Sequence, residues 1–167
     1  MRRAVLAIAV LLATSLAGCS GGGGLSSYMV LRSELPDGYA PVRDGAEGGS
    51  NLLALGMRHN PGMVNNTHLF EEEGIEPSAV YAALYIRPNE NETDLVYSLA
   101  LRFADAAEAQ RYFDATQGCN FGEDFVVIDG AVIATLSSFF GVAEETVQAI
   151  GPQWQQRVGG TDPCVDG

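Results

Sequence analysis

The sequence predicts an α+β fold: a four-stranded antiparallel sheet in β-β-α-β-β-α order, both helices packed on one face, and an irregular N-terminal segment. Three observations carry this expectation. Leu95, Tyr97, Leu99, Leu101 and Phe103 alternate strictly with other residues, the period-two pattern of a strand with a buried face. Asp129-Gly130 stands between two apolar, β-branched runs, a strong short-range signal for a hairpin. Asp105-Ala106-Ala107-Glu108 has the spacing of a capping box and opens a segment whose apolar residues recur at helical intervals.

The elements follow in chain order. Residues 28–32 form a short apolar stretch, read as an edge strand. Leu35-Pro36-Asp37-Gly38-Tyr39 is a turn, with proline second and glycine fourth. Residues 40–50 are polar and rich in glycine, read as a connection. Residues 51–58 suit a helix capped by Ser50, although Leu52, Leu53 and Leu55 suit a strand equally, and Asn60-Pro61-Gly62 is a clear break. In 79–87, Val80, Ala82, Leu84 and Ile86 share one strand face, and Tyr81, Ala83 and Tyr85 the other. The helix opened by Asp105 carries Ala109, Tyr112, Phe113 and Thr116 on one stripe and closes at Gly118. Residues 125–128 and 131–136 are the hairpin strands. A last helix starts near Ala143, with Val147, Ile150, Trp154 and Val158 on one side and a bend or restart at Gly151-Pro152. Neither a strand face nor a helical stripe can bury itself alone. The expected core therefore joins Leu95, Leu99, Leu101 and Phe103 to Tyr112, Phe113, Val147, Ile150 and Trp154.

The chain's beginning concerns location rather than fold. Arg2 and Arg3 precede an apolar run, Ala4 to Ala13, that carries no charge. This run is too short for a membrane-spanning helix and has the pattern of a signal peptide. It leads into Leu16-Ala17-Gly18-Cys19, which resembles the lipobox of bacterial lipoproteins. That resemblance implies cleavage after residue 18 and a lipid-modified Cys19 as the new N-terminus. Two or more acyl chains make such attachment stable. The implied location is the bacterial cell envelope, anchored by lipid and facing the extracytoplasmic side. Ser20 to Ser27 is dominated by glycine and serine, the composition of a flexible coil with a root-mean-square reach of roughly 16 Å. The expected organisation is residues 1–18 as signal peptide, 19–27 as lipidated tether and 28–167 as one domain.

Charge limits the partners. Residues 1–18 hold two of the nine basic residues and none of the 21 acidic ones, so the net charge of −12 becomes about −14 on processing. Every basic residue is arginine. Such acidity repels nucleic acid and anionic lipid headgroups, leaving the lipid to do the anchoring. Removing the signal leaves 149 of 167 residues, enough for a single core.

With Cys19 assigned to lipid, Cys119 and Cys164 form an even pair in an oxidising compartment, where a disulfide is the default. Closing the loop of about 46 residues from Cys119 to Cys164 stabilises by roughly 4 kcal/mol in the chain-entropy account. There is no C-x-x-C, and no histidine lies at ligand spacing from either cysteine.

Chemistry is sparse. No nucleophile elbow, H-E-x-x-H helix, Walker loop or dinucleotide fingerprint occurs. Two histidines, His59 and His68, lie with Met57, Met63 and Glu71 to Glu73 in one segment. Histidine, thioether and carboxylate suit copper or zinc, although the same residues also fit a solvated surface loop. Tyr81 and Tyr85 share a strand face and suit either a stacking platform for a ligand or packing across the sheet. The resulting expectation is a non-catalytic binding or interaction module with no cofactor, whose partners are the membrane and an envelope protein or small ligand. The alternative is metal binding or delivery through His59 and His68.

Overall fold

Strand β3 (Thr93–Arg102) occupies the middle of the sheet and is the element around which the rest is laid. The computed structural model describes residues 24–43, 74–88, 93–116, 125–138 and 143–164. The other strands are β1 (Ala40–Arg43), β2 (Ala79–Pro88), β4 (Phe125–Asp129) and β5 (Val132–Ser138), and the helices are α1 (Ala106–Ala115) and α2 (Glu144–Val158). Two short 3-10 turns, Leu25–Tyr28 and Arg32–Glu34, precede them. The strands are ordered β1-β2-β3-β5-β4, and every pairing is antiparallel. Strands β2 and β3 match without a slip from Ala79↔Arg102 to Pro88↔Thr93. Strands β4 and β5 close as the expected hairpin at Asp129↔Val132, with Gly130 at φ 57°.

The α+β class and the antiparallel sheet agree with the sequence, but among the described residues the sheet has five strands. The additional one, β1, lies where polar composition suggested a connection. It is a short edge strand with Pro41 in it and a register irregularity between Pro41 and Arg43. Both features belong to edges, because proline cannot complete a central ladder.

The expectation that both helices share one face is corrected. Val80, Leu99, Leu101, Phe103, Val126 and Ile133 form one buried face, covered by Ala109, Tyr112 and Phe113 of α1 and by Ile75. Phe103 and Tyr112 meet as a tilted aromatic pair with centroids 4.9 Å apart. Val147, Ile150 and Trp154 of α2 lie instead over Val96, Ala100, Val127, Ala134 and Leu136, on the opposite face. The physical reason is that β3 is buried on both sides. Val96, Ser98 and Ala100 alternate with the large stripe, and they are small enough for other elements to approach closely.

Leu25, Met29, Val30, Leu35 and Tyr39 join α2 over this face. Residues 28–32, expected to be an edge strand, therefore cross the sheet rather than extend it. Leu25 is 0% exposed, so the folded region begins before residue 28.

Local chemistry explains the helix limits. Asp105 Oδ1 accepts the Glu108 amide at 2.8 Å, and Glu108 Oε2 accepts the Ala104 amide at 2.9 Å. The Asp105 half of the capping box is formed as the D-x-x-E spacing implied, but Glu108 reaches the amide one residue before the cap rather than that of Asp105 itself. Of the expected bend or restart at Gly151-Pro152, the restart does not occur, since α2 is one continuous helix. Pro152 sits on the exposed side, where a missing amide donor costs least. Gly151 is required by packing, since a Cβ there would lie 2.1 Å from the Phe125 ring. Beyond α2, Gly159 and Gly160 have φ of 73° and 86° and turn the chain back along β4. Thr161 and Ile128 exchange two backbone hydrogen bonds of 2.9 Å, and this covers part of the outer edge of β4.

Trp154 is 0% exposed, and its Nε1 donates to the Tyr28 carbonyl at 2.8 Å. Trp154→Ala is expected to cost roughly 3–5 kcal/mol, as deletion of a fully buried aromatic does. Denaturant titration monitored by circular dichroism measures it. An unchanged midpoint and slope would show that α2 is not part of the cooperative core.

Candidate functional site

The densest set of specific polar contacts holds the N-terminal crossing segment on the sheet. Its backbone has no strand partner, so its polar groups need other partners on burial. Side chains from the body of the domain supply them to four successive carbonyls. Ser27 O accepts from Arg157 Nη1 at 2.8 Å, and Tyr28 O from Trp154 Nε1 at 2.8 Å. Met29 O accepts from Arg157 Nη2 at 2.6 Å, and Val30 O from Tyr85 Oη at 3.2 Å. The Val30 amide in turn donates to Ser98 Oγ at 3.2 Å. Arg157 also grips Glu34, with Nε to Oε1 at 2.6 Å and Nη2 to Oε2 at 3.0 Å. Glu34 Oε2 accepts the Leu31 amide at 2.6 Å.

Magnitudes rank these contacts. The Arg157–Glu34 pair retains 29% and 15% side-chain exposure, and a partly exposed ion pair contributes about 1 kcal/mol or less. Hydrogen bonds from a charged donor are worth about 1.5–3 kcal/mol each. Of the Arg157 contacts, the part-buried one to the Met29 carbonyl is the least screened by solvent.

A second cluster ties down the far end of the same segment. Arg87 Nε donates to Asp94 Oδ2 at 2.8 Å, with Nη2 on the same oxygen. Its guanidinium carbon lies 4.8 Å from the centroid of the Tyr39 ring, a stacking arrangement that favours arginine. Tyr39 Oη donates to Thr146 Oγ1 at 3.2 Å, linking the segment to the first turn of α2. The buried Asp94 carboxylate is thus paired and hydrogen-bonded, as burial of a charge requires.

Two further phenols stand out. Tyr28 Oη donates to Asp129 Oδ2 at 2.7 Å. Burial, and then this bond, push the Tyr28 phenol up to about 12. Tyr97 Oη is the buried side-chain polar atom without a hydrogen-bond partner among the described residues. Its burial in the α1-side cluster pushes its ionisation upward.

Tyr81 and Tyr85 do lie on one face, as the sequence indicated. Both are half-buried against the cluster that contains Met29 and Val30, and the Tyr85 hydroxyl is committed to the crossing segment. Cys164 is exposed and disulfide-bonded. Cys19, His59, His68 and Cys119 lie outside the described residues. Among the described residues no three His, Cys, Asp or Glu side chains are grouped to hold a metal. No helix among them is long and apolar enough to cross a membrane. Arg157 and Ser98 were missed in the sequence because their partners lie 68 or more positions away. No local pattern marks such contacts. The arrangement fastens one part of the chain to another, and its donors and acceptors are spent on each other.

No protein-family model matches the chain, and neither a curated protein nor a solved structure matches it.

The phenols give two expected outcomes. Free tyrosine ionises near 10, whereas Tyr28 in the fold holds its proton to about 12. As pH rises through this window the unfolded chain releases a proton that the fold retains, so stability falls. Below pH 10 Tyr28 adds no pH dependence. Tyr28→Phe should flatten the decline in the urea midpoint between pH 10 and 12; an equally steep decline would assign it to other groups. Tyr97→Phe removes a hydroxyl that is desolvated without a partner, a defect that costs about 1–3 kcal/mol. Its melting midpoint should rise, and a fall would mean that the hydroxyl is satisfied in solution.

Proposed function

We propose that the protein is a lipid-anchored module of the bacterial cell envelope, non-catalytic, that binds an envelope protein or a small ligand on the extracytoplasmic side. The observation that carries this reading is the charge-free apolar run ending in Leu16-Ala17-Gly18-Cys19, just ahead of a folded region in which Leu25 is already buried. Only five residues then separate the anchor from the first buried side chain. The disulfide at Cys164 supports an oxidising compartment.

Cys119 is the partner we assign to Cys164. The tail runs antiparallel to β4 from the Ile128–Thr161 bridge. Gln155 Nε2 bonds both Val126 O, at 3.3 Å, and Asp162 Oδ2, at 2.7 Å. The chain thus travels back toward Phe125 as it nears Cys164, and Cys119 precedes Phe125 closely in sequence.

A binding role is favoured over catalysis because the polar groups that the fold concentrates act as fasteners. Ser98 Oγ takes an amide, Arg157 takes carbonyls and Glu34, and Arg87 takes Asp94.

Cys19→Ser should leave the membrane fraction or accumulate as unprocessed precursor, while the parent carries a lipid mass on its N-terminal peptide. Retention of the variant in the membrane at the parental level overturns the anchor. Non-reducing peptide mapping should recover Cys119 joined to Cys164, and recovery of Cys164 on any other cysteine overturns the pairing.

A further inference from the structure

We infer that the crossing segment gives this module a preferred polarity on a short leash. The end of the sheet near Gly24 faces the bilayer, and the end near Tyr39, Arg87 and Asp94 faces away from it. The inference rests on the Cys19 anchor proposed above.

The length of the leash follows from connectivity. Five residues separate Cys19 from Leu25. At most about 3.6 Å per residue, the two are never farther apart than roughly 22 Å, whatever the conformation between them. The leash cannot lengthen while the segment stays docked. Leu25 is 0% exposed, and Arg157, Trp154 and Tyr85 hold the next carbonyls. Undocking would strip four carbonyls of their donors and expose the Trp154 ring together, so gradual payout is not available.

The two ends are defined by independent contacts. Gly24 O accepts the Ser27 amide, so the leash leaves beside Ser27. Ser27 is held by Arg157 in the last turn of α2, and the next residue, Tyr28, reaches Asp129 at the β4–β5 turn. The leash, the C-terminal end of α2 and that turn therefore share one end of the sheet. At the other end the first turn of α2 meets Tyr39 through Thr146, and Arg87 on β2 meets Asp94 at the start of β3. From Asp94 to Arg102, β3 spans roughly 26 Å at the rise of an antiparallel strand. The far end therefore lies about one leash length beyond the near end. The acidic balance of the chain opposes its lying flat on anionic headgroups. The surface opposed to the bilayer is the near end, and soluble envelope partners meet the far end first.

The test uses the full lipidated protein in vesicles of phosphatidylcholine and anionic phosphatidylglycerol carrying a small fraction of headgroup-dansylated lipid. Trp154, the single tryptophan, lies close to the near end and serves as energy donor. A second protein combines Trp154→Phe with Asp37→Trp, which moves the donor to the exposed turn at the far end. A third inserts about twenty Gly/Ser residues between Gly24 and Leu25 and leaves the core untouched. Transfer efficiency should be higher from Trp154 than from position 37. The insertion should lower transfer from Trp154 by roughly twofold or more, since the added coil extends the reach by tens of ångströms. Equal or reversed efficiencies, or an insertion without effect, overturn the inference. The mass of the N-terminal peptide and flotation with the vesicles report the anchor separately. A chain without lipid removes both readings, whereas a lipidated chain with reversed efficiencies removes only this one.

Discussion

Partial burial of an irregular segment whose backbone pairs with no strand is the constraint on which the rest of this structure depends. The carbonyls of residues 27–30 lie where a second layer would ordinarily present a helix with its own hydrogen bonds. Leaving a buried polar group unsatisfied costs about 1–3 kcal/mol, so losing the donors of the part-buried Tyr28, Met29 and Val30 carbonyls would take a large share of a small domain's stability. Arg157, Trp154 and Tyr85 meet the requirement. All three sit on regular elements, so the segment is positioned by α2 and β2. The reverse also holds, because Trp154 is fully buried only with Tyr28 and its neighbours in place.

That dependence accounts for the layers. A central strand with large residues on both faces would hold two helices at full distance. Here β3 offers Leu99 and Leu101, followed by Phe103 just past its end, to α1, but Val96, Ser98 and Ala100 to the opposite side. The small side lets the crossing segment approach until the Val30 amide reaches Ser98 Oγ. Ala134 and Ala83 extend the same shallow floor onto β5 and β2. One face thus carries a helix alone, and the other a helix beside a strip of chain.

What was legible in the sequence was what is local. The β2 and β3 alternation, the Asp129-Gly130 hairpin, the Asp105–Glu108 capping contact and the Leu35–Tyr39 turn each depend on residues within a few positions. Strand β1 was obscured because an edge strand needs little apolar sequence, and Pro41 argues against a strand anywhere but an edge. The side taken by α2 was misread because strict alternation in β3 was equated with burial on one face. Yet Val96, Ser98 and Ala100 carry no charge and are compatible with burial. Of the candidate residues, Tyr81 and Tyr85 were rightly placed on one face, but not that Tyr85 would spend its hydroxyl on Val30. Arg157 gave no local sign, since Glu34, Ser27 and Met29 lie more than 120 positions from it.

The absence of lysine acquires a physical meaning here. Arg157 serves Ser27, Met29 and Glu34 at once, which requires several donors in a rigid planar fork. Arg87 combines a two-nitrogen grip on Asp94 with stacking on Tyr39, and an ammonium has no plane to stack. Arg32 Nη1 bridges the carbonyls of Leu35 and Pro36, each at 3.2 Å. In each case the cation acts chiefly through geometry, with its charge secondary. A strongly acidic chain with few cations gains most when each one satisfies several acceptors. The crossing segment, with no ladder of its own, concentrates the acceptors that need them.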